Sequence, residues 1–151
     1  MANNPVKMRV MFSSDKKRME TFASAIAQAF TTPTTTILVD NIPPAFPCEK
    51  ERITFIGITS KSDPKDNVRR FCRELTAART LNVALFVDGK ADEHGLKVVI
   101  DTLKEAGTNV MTDDIYYLDA GSFMNLSKKI TLQERTDLVK WAESVTAKIQ
   151  A

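Results

Sequence analysis

Histidine, cysteine and tryptophan are scarce in this chain, and each shortage excludes something. The 151 residues hold one histidine, two cysteines and one tryptophan. A lone His94 excludes a His-centred metal cluster and leaves acid–base work dependent on a partner within hydrogen-bond reach. Cys48 and Cys72 are too few for a disulfide framework and lack metal-site spacing, so a reducing cytoplasm is the expected compartment. No apolar run approaches the ~20 residues that a membrane-spanning helix needs. Residues 1–7 lack the apolar stretch of a secretory signal. Net charge is only +2, which argues against specific nucleic-acid binding.

With 43% hydrophobic and 26% charged residues, the chain has the composition of a packed globule, and its length suits one domain spanning 1–151. Met8 to Phe12 is a short, mostly apolar run that reads as a first strand. Met19, Phe22, Ala23, Ile26, Ala27 and Phe30 then fall on one helical face. Residues 36–39 form a second β-rich run. Pro43, Pro44 and Pro47 argue against a regular helix in the connection that follows. Ile53 to Ile58 reads as a buried strand. Asp63-Pro64 is the expected start of the next helix, Asp63 as N-cap and Pro64 as the first helical residue. Val68, Phe71, Cys72 and Leu75 line that helix, placing Cys72 on its core-facing stripe.

Val83 to Val87 is an uninterrupted apolar strand. Leu96, Val99, Ile100 and Leu103 mark a third helix, closed by Gly107. Val110-Met111 and residues 115–118 share a fifth strand region, kinked between Thr112 and Asp114. Thr131 and Glu134 suggest a capping box for a final helix lined by Leu138, Trp141, Ala142, Val145 and Ile149. Alternating β and α elements with buried strands imply an α/β fold: a doubly wound, five-stranded parallel sheet in the order 2-1-3-4-5.

Ligands of such sheets bind beyond the carboxyl ends of the strands, at the switch point. Three loops form that rim: residues 13–18, 59–63 and 88–94. Residues 1–75 hold 12 Lys/Arg against 8 Asp/Glu, and residues 76–151 hold 9 against 11. Lys16, Lys17, Arg18, Lys61 and Lys65 gather at the rim, and the first loop leads into a helix whose N-terminus suits an anion. An anionic ligand or an acidic protein partner is the functional reading. A solvated basic surface, with Asp15 capping its own helix, is the plain one.

Val10-Met11-Phe12-Ser13-Ser14 opening into a helix, Phe55-Ile56-Gly57-Ile58, Leu85-Phe86-Val87-Asp88-Gly89, and Ile130 to Glu134 leading into the Trp141 helix together resemble the flavodoxin-like family. The resemblance covers nearly the whole chain. It implies FMN as cofactor, an electron-transfer role, and contacts from Ser13, Ser14, Asp15, Lys16, Lys17, Arg18 and Met19 in the first loop, Thr59, Ser60 and Lys61 in the second, and Asp88 and Gly89 in the third. The family holds the FMN phosphate in a Ser/Thr-x-Thr-Gly-x-Thr loop. Here Ser14 matches the first hydroxyl, while Lys16 stands at the middle threonine, Lys17 at the glycine and Met19 at the last threonine. A lysine resists the positive φ that the glycine allows. The aromatic side chains that sandwich the flavin are missing from Thr59-Ser60-Lys61-Ser62 and from Asp88-Gly89-Lys90-Ala91. Two readings follow: a redox protein with weak or altered FMN binding, and a flavin-free binding or protein-interaction module on the same fold. Little or no FMN is expected to accompany the purified protein. Enzymatic activity stays open. A phospho-receiver domain is a poor match, because Ser13-Ser14 and Thr59-Ser60 stand where its aspartates belong. His94 is expected to decorate a helix start, Asp113-Asp114 a solvated turn, and Cys48 an irregular segment.

Overall fold

The computed structural model describes residues 8–13, 17–30, 37–42, 48, 50–60, 62–118 and 132–150. Strand β1 (Met8–Phe12) leads to helix α1 (Lys17–Ala29) and strand β2 (Ile37–Asn41). Strand β3 (Glu51–Thr59), helix α2 (Asp66–Glu74), strand β4 (Thr80–Asp88) and helix α3 (His94–Ala106) follow. Two short strands, β5 (Asn109–Val110) and β6 (Tyr116–Leu118), precede helix α4 (Leu132–Gln150).

The strand order is β2-β1-β3-β4-β5, and β6 also pairs with β4. All these pairings are parallel. β5 and β6 thus occupy one fifth position, broken by a 3₁₀ turn at Thr112–Asp114, where the sequence suggests a kink. The expected doubly wound parallel sheet is the fold observed.

Alternation along the strands feeds two cores, because successive side chains point to opposite faces. On one face Val10, Phe12, Phe55 and Phe86 pack with Phe22 and Ile26 of α1 and with Leu138 and Val145 of α4. On the other, Met11, Ile56, Leu85 and Val87 pack with Phe71 and Cys72 of α2 and with Leu96 and Leu103 of α3. Ile42 and Cys48 join this second core. They flank the proline-rich connection, whose residues 43–47 lie outside the described residues. Lys50, just before β3, has φ of 57°, a left-handed turn that few non-glycine residues adopt.

Helix α2 starts later than expected. Lys65 is its N-cap, in extended conformation and without a side-chain cap bond. Asp63 does not cap it, because its carboxylate turns to His94 Nδ1 at 2.8 Å. Gly107 closes α3 as expected, with φ of 104° and its N–H donating to the carbonyls of Leu103 and Lys104. Thr131 lies outside the described residues. No described helix is long and apolar enough to cross a membrane.

Candidate functional site

The carboxyl ends of β1, β3 and β4 open onto the three expected loops. After β1, the Ser13 N–H donates to Gly57 O at 3.0 Å, extending the β1–β3 pairing by one residue. Ser14, Asp15 and Lys16 lie outside the described residues, and Lys17 and Arg18 form the first turn of α1. Met19 is 2% exposed and packs into the core above β3. A Cβ built on Gly57 would sit 2.3 Å from Phe86 Cε2 and 2.8 Å from Met19 Sδ. The bare Cα of Gly57 therefore makes the space those two side chains fill. Where the resemblance puts a phosphate-binding hydroxyl, this chain has a core thioether.

The second and third loops meet each other. Ser60 N donates to Asp88 O at 3.0 Å and Thr59 Oγ1 to the same oxygen at 3.2 Å, carrying the β3–β4 ladder past the strand ends. Asp88 is itself buried at the end of β4. The buried Ser60 hydroxyl donates to Glu93 Oε1 at 3.2 Å, which also accepts from Lys90 N at 2.5 Å. Two glycines permit this closeness. A Cβ on Gly89, whose φ is 150°, would lie 1.7 Å from Ser60 Oγ. One on Gly95, in the first turn of α3, would lie 2.3 Å from Ser62 O and 2.9 Å from Ser60 O. On the exposed edge, Asp63 and His94 complete the junction. Lys61 lies outside the described residues, while Lys65 and Lys90 are exposed.

A planar ring stacked between two walls needs about 3.5–4.0 Å on each face. Here Ser60 and Glu93 are at hydrogen-bond distance, with a carboxylate filling the junction. The described loop residues around it, Ser60, Ser62, Gly89, Lys90 and Ala91, include no aromatic. They do not fit the sandwiched flavin of the family pattern. A depression of about 220 Å³ lies beside the start of α3, lined by Asp92, Glu93, Leu96 and Lys97 among others; it is smaller than the ~300–1,000 Å³ usual for ligand pockets.

The aromatic side chains sit elsewhere. Trp141 packs edge-on against Phe55 and Phe86 and lies 5.5 Å, centroid to centroid, from Tyr116. Its Nε1 donates to Asp114 O at 2.5 Å, and Asp114 also pairs with Lys148. Tyr116 packs on the core while Tyr117 is exposed, as alternation along a strand requires. Burial, then Asp137 and Glu134, push the Tyr116 phenol up. Both cysteines are free and buried. Burial pushes the Cys72 thiol up to about 12. It also raises Cys48, with Glu51 adding to the effect. Neither resembles the exposed, electropositive setting of a reactive thiol.

Sequence reasoning missed the role of Glu93 and the pairing of His94 with Asp63. The available signal was Gly89-x-x-x-Glu93-His94-Gly95, two glycines bracketing an acid at a loop-to-helix junction.

No family model matches the chain, and no curated protein matches it. Solved structures do. It is similar to a short-chain flavodoxin associated with a non-canonical PDU bacterial microcompartment, at 12% identity and a TM-score of 0.63 over 95% of this chain and 99% of that one. It is also similar to a flavodoxin from the domain Archaea, at 10% identity and a TM-score of 0.57 over 96% and 99%. Likeness at such identities is likeness of architecture, and together with the strand order it makes this chain a protein of the flavodoxin-like fold.

Proposed function

We propose that this chain is a flavin-free binding module built on the flavodoxin-like fold. The observation that carries the reading is the direct closure of the second loop on the third, through Ser60–Glu93 and the seating of Gly95 on Ser62. Loss of the stacking aromatics and the lysine at the phosphate-loop glycine act in the same direction. The rim cations Lys16, Lys17, Arg18, Lys61 and Lys65 suit an acidic protein surface or a small anionic ligand, with attraction that weakens as salt rises. Two free, buried thiols accord with a reducing cytoplasm. Titration with FMN, followed by quenching of flavin fluorescence, tests the reading. No saturable quenching at micromolar protein is expected, and stoichiometric sub-micromolar binding overturns it. For the cationic rim, a salt-sensitive acidic partner should be lost on Lys16→Ala plus Lys17→Ala.

The second reading is electron transfer with FMN held in an altered manner. It is favoured by the likeness to two flavodoxins over 99% of their lengths. Stoichiometric flavin with a shifted absorbance spectrum would support it.

A further inference from the structure

We propose that the solvent face of helix α2 is a docking surface for an acidic segment of a protein, held by Arg69, Arg70 and Arg73. The helix turns Val68, Phe71 and Cys72 to the core, so its other positions face outward. Arg70 and Arg73 are exposed and Arg69 is half-buried. Lys65, Arg69 and Arg73 follow one another at i, i+4 and i+8, which sets them in one row along the helix. Arg70 lies beside that row. Helix α2 leaves the carboxyl end of β3 and leads to the amino end of β4. The row therefore runs down from the rim, with Lys65 at its head.

Among the described residues, none of the three arginines forms an ion pair. Asp66 and Glu74 stand at i−4 and i+4 of Arg70 and are not paired with it; nor are Asp101 and Glu105 of the neighbouring α3 paired with any of the three. Like charges at i, i+4 disfavour a helix, so the row carries a cost that no ion pair among the described residues offsets. Arg69 Nε is also buried with no hydrogen-bond partner, and a buried donor left unmade costs more than a typical hydrogen bond yields. A carboxylate from outside, drawing the Arg69 guanidinium to itself, relieves both.

Charge complementarity selects the occupant. Guanidinium forks bind carboxylates through paired hydrogen bonds. A nucleic-acid strand carries unbroken negative charge and would have to pass Asp66 and Glu74 on the same face. It would also find no exposed aromatic on α2 for its bases to stack on. A membrane surface would need apolar anchors beside the cations, and the exposed large hydrophobic residues described, Leu81, Tyr117 and Leu132, lie on other elements. An acidic protein segment, with carboxylates spaced by neutral residues, meets none of these obstacles. The surface rests on the acidic-partner reading of the rim and extends it along α2. It does not use the first loop, so the two can fail separately, and it does not depend on whether flavin binds.

The test is an NMR titration of the full chain with an oligoglutamate peptide, followed at the backbone amides of Asn67 to Glu74 and repeated at raised salt. Saturable shifts on α2 that shrink as salt rises are expected. Arg70→Ala plus Arg73→Ala should weaken binding about tenfold, as the loss of two exposed charge pairs allows. Lys97→Ala plus Lys104→Ala removes the same charge from exposed positions on α3 and should leave binding nearly unchanged. Retained shifts for Phe55 and Leu85 would show that each variant is folded. Binding kept in Lys16→Ala plus Lys17→Ala but lost in the α2 variant supports the α2 surface and removes the first loop from the acidic-partner reading. The reverse result leaves the partner on the first loop and overturns the α2 surface alone. It is also overturned by an absence of saturable shifts on α2, by equal weakening in the α3 variant, or by tighter binding of single-stranded RNA or phosphatidylserine vesicles at the same amides.

Discussion

At the amino-terminal end of the sheet, Arg9 Nε and Glu51 Oε1 are 3.3 Å apart with side chains only 9% and 1% exposed. Around them Thr54 Oγ1 donates to Thr80 Oγ1 at 3.0 Å, Thr108 Oγ1 to Thr80 O at 2.9 Å, and Arg79 Nη1 to Cys48 O at 3.3 Å. At the carboxyl-terminal end, Ser60, Lys90 and Glu93 form a second cross-linked group, with Asp63–His94 at its edge. One end is where open α/β sheets keep only scaffold; the other is where they keep ligand loops. In this protein both ends direct polar groups at one another. The ends differ in the depth of their paired side chains: Arg9 and Glu51 are buried, whereas Glu93 is half-buried and Asp63 and His94 are exposed, although Asp88 is buried at the end of β4. Interaction strength should follow depth, since broken buried pairs are costly and exposed ones are not.

That comparison can be sharpened first at the amino end. Arg9→Met leaves Glu51 buried without its guanidinium and should cost about 3–5 kcal/mol. Urea unfolding followed by Trp141 fluorescence reads it. Adding Glu51→Leu should recover most of the loss, because two apolar side chains replace a buried pair with little penalty. A double variant no more stable than Arg9→Met would show that packing, not charge, is decisive there.

Next comes the seam between α3 and the second loop. Alanine for glycine inside a helix ordinarily stabilises by about 1 kcal/mol. At Gly95 the new Cβ meets the Ser62 carbonyl at 2.3 Å, so a backbone must shift, and a net loss of about 1–3 kcal/mol is expected. Gly107→Ala has open space around it and should lose only about 1–2 kcal/mol, from its left-handed backbone. A stabilised Gly95→Ala would contradict the close approach of α3 to Ser60 and Ser62.

Glu93→Ala is smaller. It removes the acceptor for Ser60 Oγ and Lys90 N and should cost about 0.5–1.5 kcal/mol. Ser60→Ala on top of it should add less than its own single effect, since the two share one bond.

The least disruptive probe is thiol chemistry. With Cys72 pushed up to about 12 and Cys48 raised and buried, neither should react with an aromatic disulfide reagent at pH 8 in the native protein. Both should react once urea unfolds it. Fast native labelling of Cys48 would contradict its burial in the second core.

Much of the fold was legible because burial writes itself into apolar periodicity. Met8 to Phe12 read as β1 at its observed bounds, and Cys72 and Gly107 took their expected places. The kinked fifth strand was visible as two apolar pieces around Thr112–Asp114. The contact between the second and third loops was not. Ser60 and Glu93 are 33 positions apart, and such a contact leaves no local pattern. The same holds for Asp63, whose side chain looks like a helix cap in sequence and is drawn away by His94. Met19 read correctly as part of an apolar helical stripe, whereas the motif comparison placed it at a ligand contact. Gly57 explains its burial, but only once β3 and α1 are side by side.

The proposed flavin-free reading rests on the described residues of the second and third loops, which contact each other through Ser60–Glu93 and Gly95 on Ser62. Nuclear Overhauser contacts between the Gly95 α-protons and Ser60 or Ser62, recorded with and without excess FMN, test it most directly. These contacts should be present, and FMN should leave them, and the amides of Ser60, Gly89 and Lys90, unchanged. Loss of the contacts, with saturable shifts at those amides as FMN is added, would contradict it.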